Sequence, residues 1–286
     1  MNKIIKKLQA VHVMAKGNFD SWMHSPRTMI MLLFVVALCY MVCGSHARML
    51  RTMGFEAHWD ETLFYVLFNG CNITMTSILF LVTVSELPRR MGYQYNMLIR
   101  CTRGQWLGSQ ILYCLWMTLC MLVLVILCTS VFILPGVAAG SGWTDDLRIT
   151  QGFITADEAL VPAFIRGSFS PLGACLYALI PMFLFWLSMV FVVLLCSLLG
   201  APIVGVLAYA LMLVGNVVFM VEALGNLPMP VYYATLANIT TGWVDQEFMK
   251  VNQALRGYAV VIIVLLAAMG LRIKRTDLEF NAGQRM

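Results

Sequence analysis

Six apolar runs, each long enough for a helix to cross a bilayer and uncharged through its centre, dominate this chain. A hydrocarbon core about 30 Å thick demands roughly 20 apolar residues of a helix rising about 1.5 Å per residue. The runs extend from Thr28 to Gly44, Thr62 to Val84, Leu107 to Leu134, Leu172 to Leu199, Ala201 to Val221 and Leu255 to Ile273. An open strand edge in lipid would leave backbone amides unpaired, so each run is expected to be helical and the fold class all-α. A length of 286 residues would otherwise suggest one or two soluble domains, but 60% hydrophobic and 12% charged residues describe a polytopic membrane protein. The first run starts late, follows a basic segment and ends in CYMVCGSHARML without a small-residue cleavage pattern, so it reads as a retained span.

The distribution of basic residues sets the expected orientation. Lys3, Lys6, Lys7, Lys16 and Arg27 precede the first run; Arg89, Arg90, Arg100 and Arg103 lie between the second and third; Arg272, Lys274, Arg275 and Arg285 close the chain. Most acids fall on the opposite side: Glu56, Asp60, Glu61, Asp145, Asp146, Asp157, Glu158, Glu222, Asp245 and Glu247. Both termini are therefore expected in the cytoplasm of a cell bounded by a plasma membrane, with exterior loops at about 136–171 and 223–254. The net charge of +5 reflects this asymmetry, and no separate basic domain points to nucleic acid. None of the nine cysteines lies in an exterior loop, which argues against a disulfide scaffold.

Along the chain, residues 1–26 place Ile4, Leu8, Val11 and Ala15 on one stripe flanked by lysines, as expected of an amphipathic helix in the inner membrane interface. The six-run region 27–273 follows, then a cytoplasmic tail, 274–286. The fourth and fifth runs are separated by little more than LGAP, which predicts a tight inner hairpin with Ala201 and Gly205 at a small-residue spacing. The stretch Val231 to Ile239 is apolar but too short to span, leaving a re-entrant element and an ordinary loop both open.

Residues for membrane-depth chemistry are missing from the pattern. His12, His24, His46 and His58 all fall outside the centres of the runs, so neither a serine–histidine dyad nor a histidine-rich metal site is expected there. No run has a central carboxylate, as proton relays usually require, and no Gly-Lys dipeptide exists to build a phosphate-cradling loop. An intramembrane hydrolase is thus the remotest reading. In the second run Asn69, Asn72, Thr76 and Thr83 share a helical face, and with Asn216 of the fifth run they either line a substrate path or bond helices together. Ser109, Gln110 and Thr118 carry the same two readings.

The segment SELPRRMGYQYNMLIR concentrates charge in a chain that avoids it. Its Glu86, Arg89, Arg90 and Gly92 resemble the acidic, basic and glycine pattern that follows the second span in permeases of the ABC-2 type export class. The likeness extends to the order of parts: an amphipathic helix before the first span, six spans, a tight turn between the fourth and fifth, a long outer loop before the sixth, and the closing GLRIKRTDLEFN. Two features depart from the pattern, Pro88 within the acid-to-arginine run and a longer loop between the third and fourth spans.

The resemblance implies a non-catalytic membrane subunit with a coupling helix between spans two and three, resting on separate ATPase subunits that bind ATP and Mg. It also implies a second permease subunit, identical or sister, within membrane lipid. On this reading Arg89, Arg90 and Arg100 supply ionic complementarity, and Tyr93, Tyr95, Met97 and Leu98 supply apolar anchors for the motor. The rival reading is a motor-free immunity or assembly factor of similar architecture. Substrate identity, and whether two identical or two sister subunits pair, do not follow from the sequence.

Overall fold

A serine cap and a proline start the helix around which the others pack. Ser170 Oγ accepts the Gly173 N–H, Pro171 occupies the first turn where its missing N–H costs nothing, and the helix then runs to Leu198. The computed structural model describes residues 2–53, 58–68, 70–88, 101–137, 140–143, 169–219 and 247–275. In chain order its helices are α1 (Asn2–Met23), α2 (Pro26–Met53), α3 (Trp59–Phe68), α4 (Gly70–Val84), α5 (Arg103–Ile133), α6 (Pro171–Leu198), α7 (Pro202–Phe219) and α8 (Glu247–Arg275), with a 3-10 turn at Leu134–Gly136. Every regular element among the described residues is helical.

Among the described residues four helices are long and apolar enough to cross a membrane: α2 over 26–48, α5, α6 and α8 over 255–273. Of α6's apolar stretch 61% is buried inside the protein, against 22% in α2 and in α8, so α6 is the centre and the other two are peripheral. The periphery is itself apolar. Leu33, Phe34, Met41, Leu207, Leu211, Ile263 and Leu271 are all exposed, a surface that matches hydrocarbon and would aggregate in water.

Side-chain pairings fix the directions. Cys175 Sγ lies 4.0 Å from Asp60 O, Trp186 Nε1 donates to Ser77 Oγ at 2.8 Å, and Ser197 Oγ donates to Leu87 O at 2.7 Å. These contacts advance together, so α6 runs alongside α3 and α4 in the same sense. Helices α2 and α5 run the other way: α2 starts at Arg27 beside Glu86, just past the end of α4, and α5 brings Ser130, near its own end, to Trp59 at the start of α3.

The expected second span differs from a single helix. Over its range the structure has two, α3 ending at Phe68 and α4 starting at Gly70; Asn69 lies outside the described residues. With 10 and 15 residues, each is shorter than a bilayer crossing. Two local features oppose a continuous helix: Gly70, with its low propensity, and Asn72, whose Nδ2 donates to Val66 O at 2.8 Å and offers that carbonyl an alternative partner.

Helix α1 forms where expected, but its apolar stripe is divided: Leu8 is exposed, while the part through Val11 and Ala15 faces protein. Ala15 is fully buried, Val11 packs at Gly108, and Phe19 meets Trp116 edge-on at 5.9 Å, so α5 occupies the face that the sequence marked for the bilayer.

The hairpin between α6 and α7 bears out the small-residue spacing at Gly205. Gly200 has φ +85°, a left-handed conformation that favours glycine, and the bonds Gly200 N–H to Ser197 O and Ala201 N–H to Cys196 O close the end of α6. A Cβ at Gly205 would sit 2.9 Å from Cys196 Cβ and 3.1 Å from Val193 Cα, inside contact range of backbone that cannot yield. Gly205→Val is therefore expected to lower stability by about 1–3 kcal/mol. Gly257→Ala, where a Cβ meets nothing within 4 Å, is expected to leave stability unchanged or raise it; thermal unfolding in detergent compares the two.

Candidate functional site

The segment that carries the sequence resemblance springs from a fixed base. Helix α4 ends at Val84 and a turn carries the chain through Ser85 and Glu86, so Pro88 lies beyond the helix and does not interrupt it. At the start of α2, Arg27 Nη1 donates to Glu86 Oε1 at 2.9 Å and Nη2 to Ser85 Oγ at 3.0 Å. Leu87 is buried, and its carbonyl accepts from Ser197 at the end of α6. Three helix ends thus converge on residues 85–87. The return end of the segment is equally defined: Thr102 caps α5, accepting the Gln105 N–H at 3.3 Å while its own N–H donates to Gln105 Oε1 at 2.9 Å.

Of the residues expected to couple to a motor, only Glu86 is described. Arg89, Arg90, Gly92, Tyr93, Tyr95, Met97, Leu98 and Arg100 lie outside the described residues.

Of the expected path, Asn72 and Thr76 come together and Thr83 does not join them. Asn72 and Thr76 line a narrow cleft bounded by α2, α3, α4, α5 and α6, whose apolar walls include Val42, Val66 and Val125 and whose remaining polar groups are Cys39 and Thr129. The cleft measures about 20 Å³, room for one water molecule. Thr83 is buried elsewhere and bonds its own helix at Phe80 O, 2.7 Å away. Asn69 and the Asn216 side chain lie outside the description.

Of these polar groups Asn72 and Thr129 reach other helices, Asn72 Nδ2 donating to Val66 O of α3 at 2.8 Å and Thr129 Oγ1 meeting Cys39 Sγ of α2 at 3.9 Å. Thr76 Oγ1 donates to Asn72 O at 2.7 Å, and Ser109 and Thr118 likewise donate to carbonyls of their own helix. Gln110 is fully buried, and neither its amide nitrogen nor its amide oxygen has a hydrogen-bond partner. Further interhelical bonds come from residues that the sequence pattern did not single out: Ser77 with Trp186, Ser188 with Tyr209 at 3.1 Å, and Ser197 with Leu87. Their signal was weak, since a lone serine in an apolar run bonds its own helix as readily as a neighbour.

The opposite end of the bundle holds a second surprise. Asp60 and Glu61, expected in an exterior loop, are 6% and 0% exposed in the first turn of α3. There the helix N-terminus favours negative charge, and Asp60 Oδ2 accepts the Gly142 N–H at 3.2 Å. Among the described residues no three His, Cys, Asp or Glu side chains gather as metal ligands.

No protein-family model, no curated protein and no solved structure matches the chain.

Arg27 and Glu86 have side chains 46% and 40% exposed, so their pairing is screened and is expected to contribute at most about 1 kcal/mol. Glu86→Arg should leave the unfolding temperature nearly unchanged yet increase protease cleavage after residue 88, and adding Arg27→Glu should restore resistance. Limited proteolysis beside a thermal melt checks both outcomes.

Proposed function

We propose that the chain is the membrane-spanning subunit of an ATP-driven exporter of the ABC-2 type, working with separate ATPase subunits and a second permease subunit. In this reading α1 is the inner interfacial helix, α3 and α4 together make the second of six spans, and 88–102 is the coupling segment. The observation that carries it is the convergence of α2, α4 and α6 on residues 85–87, immediately before the segment that carries the resemblance. A segment that transmits a push needs a stiff base, and here displacement of the loop would act on three helices at once.

The charge and aromatic content of the segment fit docking on a soluble partner. Arg89, Arg90 and Arg100 offer ionic register, and Tyr93, Tyr95, Met97 and Leu98, which follow Gly92, offer apolar anchors. The ATP and Mg would be held by the partner, since the chain contains no Gly-Lys phosphate-cradling motif. Gln110 supports a changing interior: a buried amide without partners costs on the order of 1–3 kcal/mol, a penalty relieved when helices part and admit water.

Arg89→Glu with Arg90→Glu is expected to abolish stoichiometric association with the ATPase while six-span insertion, read by labelling single cysteines introduced into the loops, is unchanged. Retained association and transport in that variant would contradict the docking role.

A further inference from the structure

The first turns of α1 stand free of the bundle. From Met14 to Trp22 the helix is seated: Met14, Ala15, Asn18 and Trp22 are buried, and Phe19 meets Trp116 of α5 edge-on. Ile5, Lys6, Lys7, Leu8 and Gln9, by contrast, are all exposed. Successive residues of a helix turn by about 100°, so five exposed in succession mean that nothing among the described residues covers any side of this stretch. A helix end with nothing to pack on is marginal in water, and this one presents Ile5 and Leu8, three apart on one side, at 45% and 63% exposure.

The charge of this end is one-sided as well. Lys3, Lys6 and Lys7 fall in the first two turns with no acid among them, and Asp20, near the far end, is the helix's one carboxylate. The positive end of the helix dipole lies at the same place, which disfavours cations there until anions join them. Lys6 follows Ile5 and Lys7 precedes Leu8, each about 100° around the helix from its neighbour, so the two lysines flank the apolar pair on opposite sides. That is the layout in which apolar side chains enter a membrane surface while lysines reach back to its headgroups.

The position of α1 names the surface. Only His24 and Ser25 separate it from α2; the Ser25 N–H donates to Trp22 O at 3.2 Å, and Ser25 O accepts the Met29 N–H at 3.0 Å. Helix α1 therefore ends where the apolar stretch that can cross a membrane begins, at Pro26. We infer that the free end of α1 docks on the leaflet that α2 enters and selects anionic phospholipid there, Lys6 and Lys7 pairing with the headgroups while Ile5 and Leu8 enter the acyl boundary. The inference deepens the interfacial placement of α1 and rests on the permease reading for that placement; it needs no motor.

The full-length protein is placed in nanodiscs of phosphatidylcholine alone or of equal parts phosphatidylcholine and phosphatidylglycerol, and amide hydrogen exchange is followed by mass spectrometry. Residues 6–9 are expected to exchange on the order of tenfold more slowly in the anionic discs at low salt, while residues 14–22 exchange equally in both and report that α1 remains seated on α5. Molar salt should remove the difference. Lys6→Glu with Lys7→Glu should abolish it, and Lys6→Arg with Lys7→Arg should keep it. Equal exchange of residues 6–9 in the two discs, protection that survives in the glutamate variant, or the same protection from inorganic phosphate added to phosphatidylcholine discs would overturn the proposal. Absence of an ATPase partner would refute the permease reading and leave this difference as it is.

Discussion

Hydrocarbon offers a polar side chain no water to bond, so each polar group carried inside a membrane bundle must find its partner within the protein. Here that constraint is met chiefly on α6. Trp186 gives its indole N–H to Ser77 of α4, Ser188 pairs with Tyr209 of α7, and Ser197 donates to Leu87 just beyond α4. Apolar packing between helices gains little over packing against lipid tails, so these few directed bonds and the close approach at Gly205 fix which faces meet. Moving α6 would disturb α4, α7 and the turn after α4 together.

That arrangement links the two ends of the molecule. At one end α6 reaches Leu87, beside the Arg27–Glu86 pair that marks the base of the charged segment. At the other, its Cys175 lies against the Asp60 carbonyl and Phe169, just before its start, receives the Trp143 indole N–H. The cleft sits between, bounded in part by Met182 of the same helix. An element of this kind can carry a displacement from one end of the bundle to the other through contiguous packing, without a route of special residues.

The sequence disclosed the helices well because length and hydropathy alone demand them. The runs beginning at Thr28, Leu107, Leu172 and Leu255 correspond to helices long enough to cross, and Gly200 with Pro202 marked the hairpin correctly. Periodicity could not reveal how faces were used. The stripe through Val11 and Ala15 looks the same whether it meets lipid or α5, and it meets α5. Charge misled at Asp60 and Glu61, because an acid near a span end reads as solvated unless a partner such as the Gly142 N–H, eighty-two residues away, is known. The discontinuity at Gly70 was visible as a glycine after asparagine, but apolar residues on both sides concealed it. Among the path candidates, Asn72 and Thr76 were legible as a pair four apart, while Thr83 has the right spacing and bonds only its own helix.

The central claim is that this chain works as the membrane partner of a motor. Mild-detergent purification of the full chain from its native membrane, followed by mass spectrometry and an ATPase assay on the purified complex, tests it most directly. The account predicts a stoichiometric ATP-hydrolysing subunit that remains bound through size exclusion. A monodisperse, folded protein that retains no ATPase when its cognate candidates are co-expressed would contradict it.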